Sequence, residues 1–200
     1  MPINSKEEIM KKIFFALLTI GALGCGACNP AELETEEIED TEPYPFATWE
    51  SCASTIGDHP CNFTLVNQEG SEVNLYDFYG SPVVIDFSAM WCGPCQIAAV
   101  DIEDTVNEFP EINYITILIE NKSGQDPTTE DLDWWAQTHG ISEPVLAGNR
   151  DLLQPTDPFG WPISAWPTFF YIDDEMVLQH SHRGYSKQTV DQNIEILLAD

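Results

Sequence analysis

The chain has 200 residues and a formal net charge of −27, from 34 acidic and 7 basic side chains. Its length suits one ordinary domain plus an appendage, and a core of that size stands without a metal or a disulfide. The charge excludes nucleic-acid binding, which needs Lys and Arg clustered against phosphate, and offers no attraction to anionic lipid head groups.

Residues 1–24 read as an export signal. Met10-Lys11-Lys12 makes a compact basic start, and the apolar run from Ile13 to Gly24 is too short to span a bilayer. Met10 is therefore a better initiator than Met1. The run ends Gly21-Ala22-Leu23-Gly24-Cys25, which resembles a bacterial lipobox. Cys25 is the expected lipidation site, with Cys28 its rival; the competing reading is simple cleavage and free secretion. Residues 25–50 follow as a lipidated, acidic, flexible linker. Between Glu32 and Glu50 there are eight acids and no base, so the segment repels itself and buries too little to fold. Residues 51–200 then form the domain.

Cys52 and Cys61 enclose eight residues. In an exported chain this pair reads as a structural disulfide closing a short loop, with a second redox relay as the sharper alternative. Phe63, Leu65, Val73 and Leu75 alternate around Asn67-Gln68-Glu69-Gly70, which predicts a hairpin. Residues 81–88 and 112–119 are apolar runs with the β-branched content of buried strands. Between them, residues 95–109 predict a helix ended by Pro110. A second helix is expected over 128–138, with Leu132, Trp135 and Ala136 on its inner side. A further short strand follows. Residues 168–172 and 176–180 predict two strands around Asp173-Asp174-Glu175, and Ser186 caps a last helix running to about Leu198. The order gives an α/β domain with a mixed central sheet flanked by helices, a right-handed crossover in its first half and an antiparallel hairpin in its second. His180 and His182 fall on one side of a strand and read as surface polar groups rather than metal ligands.

Trp91-Cys92-Gly93-Pro94-Cys95 stands between a buried strand and a helix mouth. A helix N-terminus presents unpaired N–H groups and partial positive charge, which favour a thiolate on Cys92. Cys95, one turn on, lies within disulfide reach, and Pro94 suits the first turn. One thiolate can attack an external disulfide while its neighbour resolves the mixed species. Zinc would need a second pair of similar spacing in the domain; Cys25/Cys28 lies in the leader and Cys52/Cys61 has a longer gap, so no metal is expected.

The segment from Val83 to Cys95 resembles the active-site strand and helix of the thioredoxin superfamily. The leading hairpin and the lipobox make residues 62–198 similar to its extracytoplasmic TlpA/ResA-like branch, related to the redoxin and AhpC/TSA families. The resemblance implies a thioredoxin-like fold with an added N-terminal β-hairpin. It implies that Asp86, six residues before Cys92, is the buried acid that exchanges a proton with Cys95. Burial would raise that acid toward neutrality. It further implies that Pro167, in Trp166-Pro167-Thr168, is the cis-proline packed against the redox pair, with Pro162 as the alternative. Trp91, Gly93, Pro94, Trp166 and Thr168 would then line the substrate-binding surface. Trp166, Ser88 and Met90 depart from the residues usual at their positions.

Four functions follow for comparison. The first is an extracytoplasmic thiol–disulfide oxidoreductase that reduces protein disulfides, apocytochrome c among the clients served by similar proteins. It would sit on the cell envelope by its lipid, take electrons from a membrane donor and need no cofactor. The second is an oxidase or isomerase using the same pair in the other direction. The third, a thiol peroxidase, would need a threonine where Ala89 stands and a nearby arginine. The fourth is a redox-inactive binding module.

Overall fold

The computed structural model describes Trp49 and residues 51–153 and 160–199, all within one compact unit. The expected signal, the Cys25 lipidation site, Cys28 and all of the acidic linker except Trp49 lie outside the described residues.

Strands β1 (Thr64–Val66) and β2 (Glu72–Asn74) form the antiparallel leading hairpin. Asn67 ties its turn, since its Oδ1 accepts from the N–H groups of Glu69 and Ser71. The expected alternation stops at Leu75, which opens a short 3-10 turn (Leu75–Phe78) and is fully buried there. Strands β3 (Val83–Ala89), β4 (Asn113–Glu120), β5 (Val145–Ala147), β6 (Thr168–Ile172) and β7 (Leu178–Arg183) make one sheet in the order β5-β4-β3-β6-β7. The first three are parallel, and β6 and β7 run antiparallel. Every residue of β3 is buried, as its continuous apolar run requires of a central strand.

The expected helix over 95–109 is two helices, α1 (Gly93–Val100) and α2 (Ile102–Glu108). Asp101 separates them with φ −94° and ψ 0°, ending one and opening the other. Its carboxylate accepts from the Tyr185 hydroxyl, which ties this bend to the segment just after β7. Helix α3 (Thr129–His139) starts in a reciprocal cap between Thr128 and Asp131 and buries Leu132, Trp135 and Ala136. Helix α4 (Lys187–Leu197) follows Ser186, whose side chain makes no capping bond although it stands at the N-cap.

Successive parallel crossovers step the same way along the sheet, from β3 to β4 to β5. Right-handed connections then put their helices on one face. Accordingly α1, α2 and α3, joined by α4, cover the face that carries Val84, Tyr114, Leu118, Phe169 and Tyr171. The opposite face, with Val83, Ile85, Phe87 and Phe170, is covered by the hairpin region and Trp161. There Phe87, Phe170 and Trp161 pack with ring centroids 4.8–5.6 Å apart.

The last strand is displaced from its expected place at 176–180. Met176 has φ 61° and belongs to the turn, so pairing resumes only at Leu178. His180 and His182 do share a side, but they are half-buried rather than surface groups. Their rings stack on Tyr171 and Phe169, at centroid distances of 4.5 and 4.8 Å. The Asn193 side-chain amide lies 3.1 Å from His182 Nδ1, and burial holds that ring below the ordinary imidazole range.

Candidate active site

β3 delivers the chain to the helix-covered face and ends in a tight turn. The Cys92 N–H donates to the Ala89 carbonyl at 3.0 Å, and α1 begins at Gly93. The helix therefore starts two residues before the position read from the sequence, with Cys92 as its N-cap and Pro94 in its first turn. Cys92 and Cys95 are joined in a disulfide with Cα atoms 5.2 Å apart. The Cys95 N–H donates to Cys92 Sγ at 3.3 Å, so the first sulfur takes the place an N-cap oxygen usually fills. Cys92 is 5% exposed and Cys95 is fully buried. An incoming group thus meets Cys92 first. Trp91, Gly93 and Pro94 are exposed around it.

Asp86 is buried on β3 two positions after Val84, and so on the face shared with the cysteine pair. Burial raises its carboxyl to about 7, and the hydrogen bond from Ser88 Oγ, at 2.7 Å, draws it back down. The same charge reaches the phenols of Tyr114, Tyr171 and Tyr185, all held above the ordinary phenol range mainly by burial. Ser88 had registered in the sequence only as a departure from a common aromatic. Its role as the donor to Asp86 follows from their i, i+2 spacing on one strand face.

The Trp166–Pro167 peptide is cis. Pro167 is buried, and its carbonyl accepts from the Gly184 N–H at 2.8 Å. Thr168 opens β6 opposite Phe87, and its hydroxyl donates to the Ala165 carbonyl at 2.7 Å. Trp166 is half-buried and packs against the cores on both faces of the sheet.

Sequence reasoning missed Glu120. Its carboxylate, at the end of β4, accepts from Trp91 Nε1 at 2.7 Å and pairs with Arg150. Trp91 lies 29 positions before it and Arg150 lies 30 after it, so no local spacing announces the contact. Cys52 and Cys61 form a second disulfide, with Cα atoms 4.8 Å apart. Their loop pairs with the start of β7, through Gly57 N–H to the Leu178 carbonyl and Leu178 N–H to the Asp58 carbonyl.

A strand–turn–helix junction carrying a slightly exposed and a fully buried cysteine, on a mixed sheet flanked by four helices among the described residues, defines a thiol–disulfide oxidoreductase of the thioredoxin fold. More particularly, residues 56–181 match the model of the AhpC/TSA family, and the chain belongs to that family. Thioredoxin-like protein YneN of Bacillus subtilis is 21% identical over 141 residues, covering 70% of this chain and 79% of the relative. Thiol-disulfide oxidoreductase ResA of Halalkalibacterium halodurans is 25% identical over 143 residues, covering 70% and 76%. Among solved structures, a thiol:disulfide interchange protein of the thioredoxin family from Chlorobium tepidum superposes with a TM-score of 0.59. It is 20% identical, and the match covers 72% of this chain and 98% of that one. The exposed lipoprotein thioredoxin of Streptococcus pneumoniae matches with a TM-score of 0.53 at 24% identity, covering 68% and 100%.

Proposed function

We propose that this chain is an envelope-anchored, extracytoplasmic reductase of protein disulfides that works through a dithiol–disulfide cycle of Cys92 and Cys95. The observation that carries this reading is the asymmetry of the pair: Cys92 caps a helix and keeps 5% exposure among the exposed Trp91, Gly93 and Pro94, while Cys95 is fully buried on the face that holds Asp86.

The chemistry follows from that asymmetry. The helix mouth stabilises Cys92 as a thiolate, its proton having gone to solvent. The thiolate attacks one sulfur of a client disulfide, and the other client sulfur leaves as a thiolate. The Cys95 thiol gives its proton to the Asp86 carboxylate, which is poised for this near neutrality. The Cys95 thiolate then attacks Cys92 Sγ and expels the second client thiolate. The client gains two electrons, its thiolates take up two protons, and the chain is left with the disulfide seen in the structure. A dithiol donor on the membrane restores the cycle. The exposed Trp91, Gly93 and Pro94 and the half-buried Trp166 form the surface offered to the client; Pro167 and Thr168, expected there from the sequence, are buried and offer it no side chain.

The basic-then-apolar leader, the lipobox-like Cys25 and the acidic linker support anchoring at the outer side of a bacterial membrane. Peroxide reduction finds less support. Ala89, where a threonine would be needed, is apolar and buried, and Arg150 is committed to Glu120. The test is disulfide exchange by the reduced full chain on a model protein disulfide, with the midpoint potential measured against glutathione. A midpoint near about −270 mV, as in reducing thioredoxins, is the expected result. One near about −120 mV would reverse the direction, and absence of exchange would end the proposal.

A further inference from the structure

Glu120 is a charged residue in a place that disfavours charge. Its side chain is 7% exposed, at the end of β4, where the strand runs beside the redox turn. Glu120 pairs with Ala89 across the sheet, its carbonyl accepts from the Met90 N–H at 2.9 Å, and the Ala89 carbonyl accepts from the Cys92 N–H at 3.0 Å. With adjacent strands about 4.8 Å apart, this chain of contacts keeps Glu120 within about 10 Å of Cys92. An uncompensated carboxylate on a residue placed this near opposes a thiolate on Cys92, against the pull of the helix mouth.

The carboxylate is compensated. Arg150 Nε donates to Glu120 Oε1, and its Nη2 pairs with the same oxygen. The other oxygen is left to Trp91 Nε1. Arg150 is otherwise 67% exposed and opens a 3-10 turn, Arg150–Leu153. The backbone is shaped to bring it there. Gly148 N–H donates to the Leu118 carbonyl at 2.8 Å, and a Cβ on Gly148 would stand 2.6 Å from Ile117 Cγ2 and 2.7 Å from Ile119 Cδ1. A side chain at 148 would force Ile117 and Ile119 to shift before this turn could close against β4.

We propose that Arg150 is a positioning residue for the redox pair. It cancels the Glu120 charge beside Cys92 and, through that carboxylate, fixes the Trp91 indole at the rim of the site. This rests on the reading of Cys92 as the attacking sulfur. Among the described residues, the acids on this face besides Glu120 include Asp86 on β3, ringed by Tyr114, Tyr171 and Tyr185, and Asp101 after α1, which holds the Tyr185 hydroxyl; α1 itself carries no charged side chain.

The test is the pH dependence of Cys92 alkylation in the reduced full chain, read by mass at the Cys92 peptide. Arg150→Gln raises the Cys92 pKa by roughly half a unit to one unit, the effect of one uncovered charge at this range in a partly screened site. Adding Glu120→Gln to that variant removes the uncovered charge and returns the pKa to the wild-type value. A purely structural effect of losing Arg150 would persist in the double variant. No shift in Arg150→Gln, or a shift that survives Glu120→Gln, overturns the proposal. The wild-type chain separates the two claims. If its Cys92 titrates as an ordinary thiol and exchanges with no disulfide, the redox reading fails. If it exchanges normally while Arg150→Gln leaves the pKa in place, only the role given to Arg150 fails.

Discussion

Replacing Asp86 with Asn should remove a pH dependence of stability that the buried carboxyl imposes. In the folded chain that group holds its proton to about 7, against 3.8 for an ordinary aspartate. The unfolded chain therefore ionises first as pH rises. Between those values the folded state binds more protons than the unfolded one, so stability falls with increasing pH. The contribution is whole below about pH 4 and lost by the time pH has passed 7. At about 1.4 kcal/mol per pH unit the full loss is about 4 kcal/mol. The assay is denaturant unfolding of the oxidised full chain at a series of pH values from 4 to about 8, comparing wild type with Asp86→Asn. Other groups titrate in this range, among them His182 and His139, whose lowered values act at the acid end. They are common to both proteins and drop out of the difference. The wild-type curve should fall toward alkaline pH by up to about 4 kcal/mol more than that of the variant. Parallel curves would refute the assignment of a protonated, buried Asp86 and with it the proton acceptor proposed for Cys95.

Ser88→Ala removes the donor that draws the Asp86 carboxyl down, so its titration, followed by the same unfolding series, should move to higher pH. Replacing Cys52 and Cys61 together by Ala should cost about 2–3 kcal/mol in denaturant unfolding, since the loop they close is short, and leave exchange by the other pair intact. Gly148→Ala forces Cβ against Ile117 and Ile119 and should destabilise by about 1–3 kcal/mol, read as a lowered midpoint of thermal unfolding.

The central strand, the presence of a helix after it and the redox motif were legible because each has a local signature: a β-branched run buried on both faces, an apolar face ended by Pro110, and two cysteines one turn apart; the N-cap at Cys92 was not read. The bend at Asp101 was not legible. The apolar pattern runs across it, and what fixes it is the Tyr185 hydroxyl, brought from 84 residues away. The displaced start of β7 follows from the positive φ of Met176, a residue type that does not announce such a turn. His180 and His182 read as surface groups because alternation gives the side of a strand but not what covers it; here the rings beneath are Tyr171 and Phe169. Asp86 was found by its distance from Cys92, whereas Glu120 and Arg150 meet only because β4, β5 and the turn after Gly148 converge on the end of the sheet.

The most direct measurement of the central claim is a trap. The full chain with Cys95→Ser, reduced and mixed with a protein disulfide, should accumulate a mixed disulfide whose bond maps by mass to Cys92, and Cys92→Ser should accumulate none. A bond mapped to Cys52 or Cys61, or equal trapping by the Cys92→Ser chain, would contradict the division of labour between the two sulfurs.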